Sequence, residues 1–300
     1  MSSKRRHAIW RQVGLQTFLL VVTALVLFPI LWILSLSLDP RGIDKPLDLQ
    51  LIPPGASLDA YRTVLIEPFG LLCRNPNDPS TCMTFASLLR NSLLVALGTS
   101  VVAVVLGSSA AYAFSRFRFI GRQAGMLGFI VLIMLPTTAA LAPLYVLLSQ
   151  IRIGGESLRT TLVGLSLAYA STTMPFAVWN LKGYFDTIPK ELEEAARIDG
   201  ASLTQTFVRI MLPLAVPAIA VTILFSFMAG WTEFVLAWTF LENPSRFTLA
   251  MALRSMQGQY ATPWSEFAAM SILMSLPIVL LFFLMQRYVV SGLAAGAVKG

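Results

Sequence analysis

Six uncharged, mostly apolar intervals punctuate the chain: Gln12 to Leu38, Asn91 to Ser115, Gln123 to Ile151, Thr160 to Leu181, Ile210 to Thr232 and Phe267 to Gln286. Each is long enough to cross a hydrocarbon core, which takes about 20 apolar residues as a helix. The pattern predicts an all-α membrane protein with six transmembrane helices. Strands of a membrane barrel would instead alternate over about ten residues, which runs of this length do not do. The first interval follows a basic start, "SKRRHAIWRQ", as a cleaved signal would, but it is too long for an h-region and no small-residue cleavage site follows it. It is read as the first helix.

Composition agrees with this pattern: 56% of the 300 residues are hydrophobic and 12% charged, with mean hydropathy +0.72. An ordinary soluble domain carries about 25% charged residues. The predicted organisation is a tail over 1–11, a first helix over 12–38, a long loop over 39–90, a five-helix core over 91–290 and a second tail over 291–300. Lys and Arg fix the expected orientation. With the N-terminus inside, the inner segments hold Lys4, Arg5, Arg6 and Arg11, then Arg116, Arg118 and Arg122, then Lys182, Lys190, Arg197 and Arg209, then Arg287 and Lys299. The two short outer loops hold Arg152, Arg159, Arg246 and Arg254. Both ends are therefore expected in the cytoplasm. Topology and anionic lipid account for the net charge of +7, so nucleic acid is not an expected partner.

Little chemistry is left for the chain to perform. His7, in the tail, is the single histidine, which removes zinc sites and Ser-His-Asp catalysis from consideration, and no metal is expected. None of the lysines follows a glycine, so the GK of a phosphate-cradling loop is absent. Any ATP used must be hydrolysed by another chain. Glu233 is the one acid within the apolar stretch around helix five, which is thin equipment for an ion-coupled pump. Cys73 and Cys82 flank the turn-rich "RNPNDPST" in the outer loop. Outside the cytosol they are expected to form a disulfide, with two free thiols as the alternative.

Two further patterns concern packing. Gly107, Ser108, Ser109, Ala110, Ala111 and Ala113 make a small-residue surface on helix two, suited to close helix packing inside the chain or to a subunit interface. Pro136 and Pro143 in helix three, Pro175 in helix four, and Pro213 and Pro217 in helix five are each expected to bend or break a helix.

Between helices four and five lies "ELEEAARIDGASLTQTFVRIMLPLAVP", the one place where acids crowd between apolar spans. Thr187 near a start, Pro189 in the first turn and Gly200 as a stop predict a short helix at about 189–200. Glu191, Glu193 and Glu194 occupy its early turns, where the helix dipole favours negative charge. Ala195 and Ala196 offer a flat surface for close approach. Ser202 and Gln205 form a capping-box pattern that restarts the chain as a helix running into the fifth span. Such a segment, hinged to two spans, is a lever; the plain alternative is an interfacial loop helix.

Spacing favours the lever. Glu194-Ala195-Ala196, three residues, Gly200, nine residues, then Ile210-x-Leu212-Pro213 resembles the signature of permease subunits of binding-protein-dependent ABC importers. "AYAFSRFRFIG" at Ala111 to Gly121, the ending "GLAAGAVKG" at Gly292 to Gly300 and the six-helix layout are similar to the MalG-type subunits of sugar importers. The resemblance implies a type I ABC importer permease fold whose short helix is a coupling helix docking in an ATPase cleft. It implies that Lys299 and Gly300 reach the ATPase. It also implies that Gln257, Gly258, Gln259 and Tyr260, between helices five and six, enter the pocket of a sugar-binding protein; a solvated loop tip is the alternative. Trp231 and Glu233 are candidate sugar-path residues, with interface-belt placement as the alternative for the tryptophan.

The implied partners are a homologous MalF-type permease, two ATPase subunits that bind ATP and Mg, an extracytoplasmic sugar-binding protein and membrane lipid. No cofactor is expected in this chain. The implied function is non-catalytic translocation of a di- or oligosaccharide of the maltose, maltodextrin or trehalose class. Alternatives are import of another solute, such as a glycerol phosphate ester, or a stand-alone secondary transporter, for which intramembrane charges and an internal repeat are lacking.

Overall fold

A computed structural model describes residues 3–41, 51–73, 75, 78, 81–258 and 262–297. The chain divides into two compact units, Met1–Glu67 with Ser255–Ser275, and Pro68–Arg254 with Leu276–Gly300.

In the first unit, α1 (Ser3–Ser37) leaves nearly all of its apolar side chains from Arg11 to Leu34 uncovered by this chain, Leu20 at 70% and Leu25 at 68% exposure among them. Apolar on every side, it needs lipid or another subunit around it. Its end is tied down by polar contacts: the hydroxyls of Ser37 and Tyr61 lie 2.8 Å apart, the latter on α2 (Asp59–Ile66). Arg41 folds back on Asp39, and Ser265 donates to the Asp39 carbonyl at 2.6 Å.

The second unit opens with a short ribbon, β1 (Phe69–Cys73) antiparallel to β2 (Cys82–Met83), closed by a disulfide between Cys73 and Cys82. Immediately after it, Thr84 and Ser87 form a capping box that starts α3 (Phe85–Arg116). The span therefore begins one and a half turns before the uncharged interval predicted, with Arg90 inside the helix, because the cap and not the last charge sets the start. Next come α4 (Arg122–Met134), a 3-10 turn over Thr137–Ala140, and α5 (Leu141–Gln150), which together bend by 109°. A small ribbon, β3 (Arg152–Ile153) with β4 (Glu156–Ser157), leads to α6 (Leu162–Phe185).

Beyond α6 lie α7 (Glu191–Ile198), α8 (Leu203–Thr206), one π-helical turn at Phe207–Met211, α9 (Leu212–Leu214) and α10 (Val216–Thr232). Leu203–Leu214 and Val216–Thr232 meet at 78°. Then α11 (Val235–Phe240) and α12 (Leu249–Ser255) precede α13 (Trp264–Ala297). Among the described residues, Arg11–Ser37, Phe85–Arg116, Leu162–Phe185 and Trp264–Tyr288 are each long and apolar enough to cross a membrane; with each bent pair taken as one span, the number is six.

Of the prolines expected to bend spans, Pro136 and the Pro213/Pro217 pair stand at the two breaks. Pro143 falls in the first turn of α5, where a missing N–H costs nothing, and α6 continues unbroken through Pro175.

Small residues let α3, α6 and α10 approach closely. Gly107, Ser108 and Ala111 face inward, so the small-residue surface of α3 serves packing within the chain, while Ser109 stays exposed. A Cβ added at Gly107 would lie 2.9 Å from the Ala177 Cβ, which explains the glycine. Asn180 on α6 crosses to α10, donating to the Ala218 carbonyl at 3.1 Å and the Thr222 hydroxyl at 3.0 Å. At the opposite end of the same three helices, the buried Asn91 donates to the carbonyls of Ser245 and Phe247, both at 2.9 Å.

Candidate functional site

The acidic stretch folds as a helix of eight residues, α7, bounded by Lys190 and Asp199. Thr187 does not cap it: its hydroxyl donates back to the Tyr184 carbonyl at 2.7 Å and finishes α6 instead. The stop is as the residues dictate. Gly200 sits at φ +85°, its N–H bonded to the Arg197 carbonyl at 3.1 Å, and the Ala201 N–H reaches the Ala196 carbonyl at 2.9 Å. That pair of bonds is a Schellman end, whose left-handed residue is glycine because a Cβ would strain it. Ser202 and Gln205 then exchange capping bonds of 3.3 and 2.8 Å and open α8.

The acids of α7 divide by direction. Glu194 and Ala195 are exposed, as are Glu191 and Leu192, whereas Glu193 and Ala196 are buried. Glu193, only 4% exposed, is paired with the equally buried Arg116 at the end of α3 and accepts from the Tyr112 hydroxyl at 2.9 Å. Arg116 donates onward to the Ile188 carbonyl at 2.9 Å and to the Ser115 hydroxyl at 3.1 Å. Ser115 in turn holds Asp186 at 2.6 Å, which Lys182 meets at 2.5 Å. Burial pushes the Asp186 carboxyl up, but the bonds from Lys182 and Ser115 outweigh it and hold the carboxyl below its ordinary range.

Below this polar cluster the Tyr112 ring packs edge-on to Phe185 and, with centroids 4.9 Å apart, against Phe207 of the π turn. Met211 and Ala215 are fully buried in the same apolar cluster, and Leu212 packs on its margin. Of the later residues of that spacing, Leu212 is partly buried against the cluster, Ile210 is half-buried, and Pro213 is exposed beside the bend. Met211, which the spacing did not single out, is the deepest.

A cavity of about 380 Å³ opens at the break between α4 and α5, its wall including Leu135, Pro136, Thr137, Pro143, Thr172 and Pro175.

A family model described as the binding-protein-dependent transport system inner membrane component matches residues 83–294. The chain belongs to this family. Among its relatives, the maltose/maltodextrin permease MalG of Yersinia pestis is 35% identical over 97% of this chain and 94% of its own. The trehalose transport system permease SugB of Mycobacterium tuberculosis is 33% identical over 93% of this chain and 95% of its own. The maltodextrin permease MdxG of Bacillus subtilis is 41% identical over 70% and 74%. Among solved structures, a chain of a bacterial ABC transporter involved in the import of the acidic polysaccharide alginate superposes with a TM-score of 0.72 at 21% identity, covering 96% of this chain and 98% of that one. The shared fold is that of type I ABC importer permeases, and this inner membrane component crosses the membrane several times.

Within this permease the remaining candidates separate. Trp231 is 1% exposed and stacked on Phe227 with centroids 5.4 Å apart, so the expectation that it faces a sugar path fails on burial: the indole fills the chain's own interior. Glu233 stands at the end of α10, and its carboxylate accepts the N–H groups of Val235 at 2.7 Å and Leu236 at 3.1 Å. From one position before the N-cap Phe234 it satisfies the first N–H groups of α11, which gives the acid a structural use inside an apolar stretch. Gln257 and Gly258 are exposed in the loop before α13; Gln259 and Tyr260 lie outside the described residues, as do Lys299 and Gly300.

Two features escaped the sequence reading. Glu193 reads as one acid of three until Arg116 is placed beside it. The cavity at Pro136 depends on how sharply the chain bends there, which the proline alone does not tell.

Proposed function

We propose that this chain is the non-catalytic translocation subunit of an ATP-driven importer for di- or oligosaccharides of the maltose, maltodextrin or trehalose class. It pairs with a homologous MalF-type permease and two ATPase subunits that bind ATP and Mg, and an extracytoplasmic binding protein delivers the sugar. Both termini and α7 lie in the cytoplasm.

The observation that carries this reading is the two-sidedness of α7. Within α7, Glu194 and Ala195 of the family's spacing are exposed, while Glu193 and Ala196 hold the helix to the chain. A rigidly stopped helix with a free acidic and small-residue face is a docking surface for a basic cleft, here that of an ATPase. Closure of the ATPase dimer on ATP draws α7 with it and opens the membrane cavity outward; hydrolysis resets it. Relatives named for maltose, maltodextrin and trehalose support the sugar class. In this reading the polar Gln257, Gly258, Gln259 and Tyr260 meet the binding protein, and Lys299 and Gly300 meet the ATPases.

The test is co-purification and uptake. Tagged wild-type chain is expected to bring down both ATPase subunits and the second permease, and vesicles given ATP and loaded binding protein are expected to accumulate sugar. Glu194→Lys should lower uptake and uncouple hydrolysis from it. Unchanged uptake in that variant, or a wild-type chain that purifies without ATPases, would refute the assignment.

A further inference from the structure

We infer that the Arg116–Glu193 pair is the joint through which α7 moves α3, so that the coupling lever drives a third span besides the two that flank it in sequence. This rests on the reading of α7 as the ATPase-docking helix.

An eight-residue helix is too short to hold itself in water and takes its place from tertiary contacts. In α7 those contacts are few. Leu192 and Ile198 are 44% and 87% exposed, and the buried residues are Glu193 and Ala196 alone. The one buried group able to make directional bonds is therefore the Glu193 carboxylate, and both of its partners stand on α3. Arg116 takes one oxygen and the Tyr112 hydroxyl the other, so the carboxylate can neither slide nor turn without losing a bond in a buried setting.

The same guanidinium fixes the lead-in to α7 through the Ile188 carbonyl and, by way of Ser115, the end of α6 at Asp186. Tyr112 carries the connection on to Phe207, past the far end of α7. A buried charge pair of this kind contributes little to net stability compared with apolar packing, while separating it leaves two unpaired charges. It therefore resists parting more than it favours folding, which suits a joint under load.

α3 and α7 are accordingly expected to move as one body. Glu193 and Arg116 are positioning residues, acting through the helices they join. Spin labels at Glu191→Cys and Leu106→Cys, both exposed, measure this in the assembled transporter; both native cysteines are in the disulfide and take no label. The label separation should stay within about 2 Å, the size of a helix shift, between the nucleotide-free and ATP-bound states. In Glu193→Gln the distance distribution should broaden, sugar moved per ATP should fall about tenfold, and ATPase subunits should co-purify as before. Tyr112→Phe, which keeps the ion pair, should retain most transport.

A wild-type separation that changes by more than about 2 Å overturns the joint even if Glu193→Gln fails to assemble. So does a wild-type ratio of sugar to ATP in an assembled Glu193→Gln complex. Absence of ATPases from the wild-type preparation would instead overturn the parent reading, and this one with it.

Discussion

Gly107 on α3 and Ala177 on α6 meet so closely that a Cβ on the glycine would stand 2.9 Å from that of the alanine. The two helices are in contact at backbone distance, and the neighbouring Leu181 closes the site, at 3.8 Å from the same point. Replacing Gly107 by Leu should cost about 1–3 kcal/mol by overpacking. Thermal unfolding in detergent would register it as an earlier transition, with Gly107→Ala intermediate between the two.

Asn180 joins α6 to α10 by two bonds to Ala218 and Thr222. Interhelical hydrogen bonds of this kind are worth about 0.6–2 kcal/mol in a membrane. Asn180→Leu should lower stability by that amount, and a double-mutant cycle with Thr222→Val should show the two losses to be non-additive. Full additivity would mean that the bond between them contributes nothing.

The backbone at Gly200 is left-handed, yet nothing lies within 4 Å of a Cβ placed there. Strain alone then decides which residues are tolerated. A left-handed conformation costs an ordinary L-residue about 1–2 kcal/mol, and asparagine less. Gly200→Val should lower ATP-driven uptake with the ATPases still bound or partly released, while Gly200→Asn stays near wild type. Equal uptake in the two variants would show that the Schellman end does not fix the position of α7.

Asp186 gives a dependence on pH. Its carboxyl is held below the usual value by Lys182 and Ser115 in spite of burial. A group depressed on folding stabilises the protein above its unfolded value, and that contribution disappears as the pH falls through the folded one. Unfolding temperature should therefore decline on acidification below about pH 4. Asp186→Asn should flatten that part of the decline and lower stability at neutral pH, where Lys182 loses its partner.

How far the chain could be read in advance follows from where each signal resides. The spans were legible because lipid excludes charge over a length that no soluble element matches, and the stop and restart at Gly200, Ser202 and Gln205 because each is written within five residues. Which acid of α7 turns inward was not, since that is settled by Arg116, 77 positions earlier. Trp231 misled for a related reason: an aromatic beside an acid suits a sugar path as well as a packed interior, and only Phe227 against its face decides. The breaks were half legible, because a proline marks where a helix loses a bond without saying whether the neighbours hold it straight, as they do at Pro175.

The π turn at Phe207–Met211, closed by the Leu212 N–H on the Phe207 carbonyl, has a geometric consequence for the segment it interrupts. A π turn takes up roughly one residue more than an α turn, and one residue is worth about 100° of rotation about a helix axis. Met211, at the end of that turn, and Ala215 and Ala218 beyond it are buried in one apolar cluster. The angular phase between α8 and those residues is thus offset by a single inserted residue. Shortening the segment by one would turn α8 by about 100° against them.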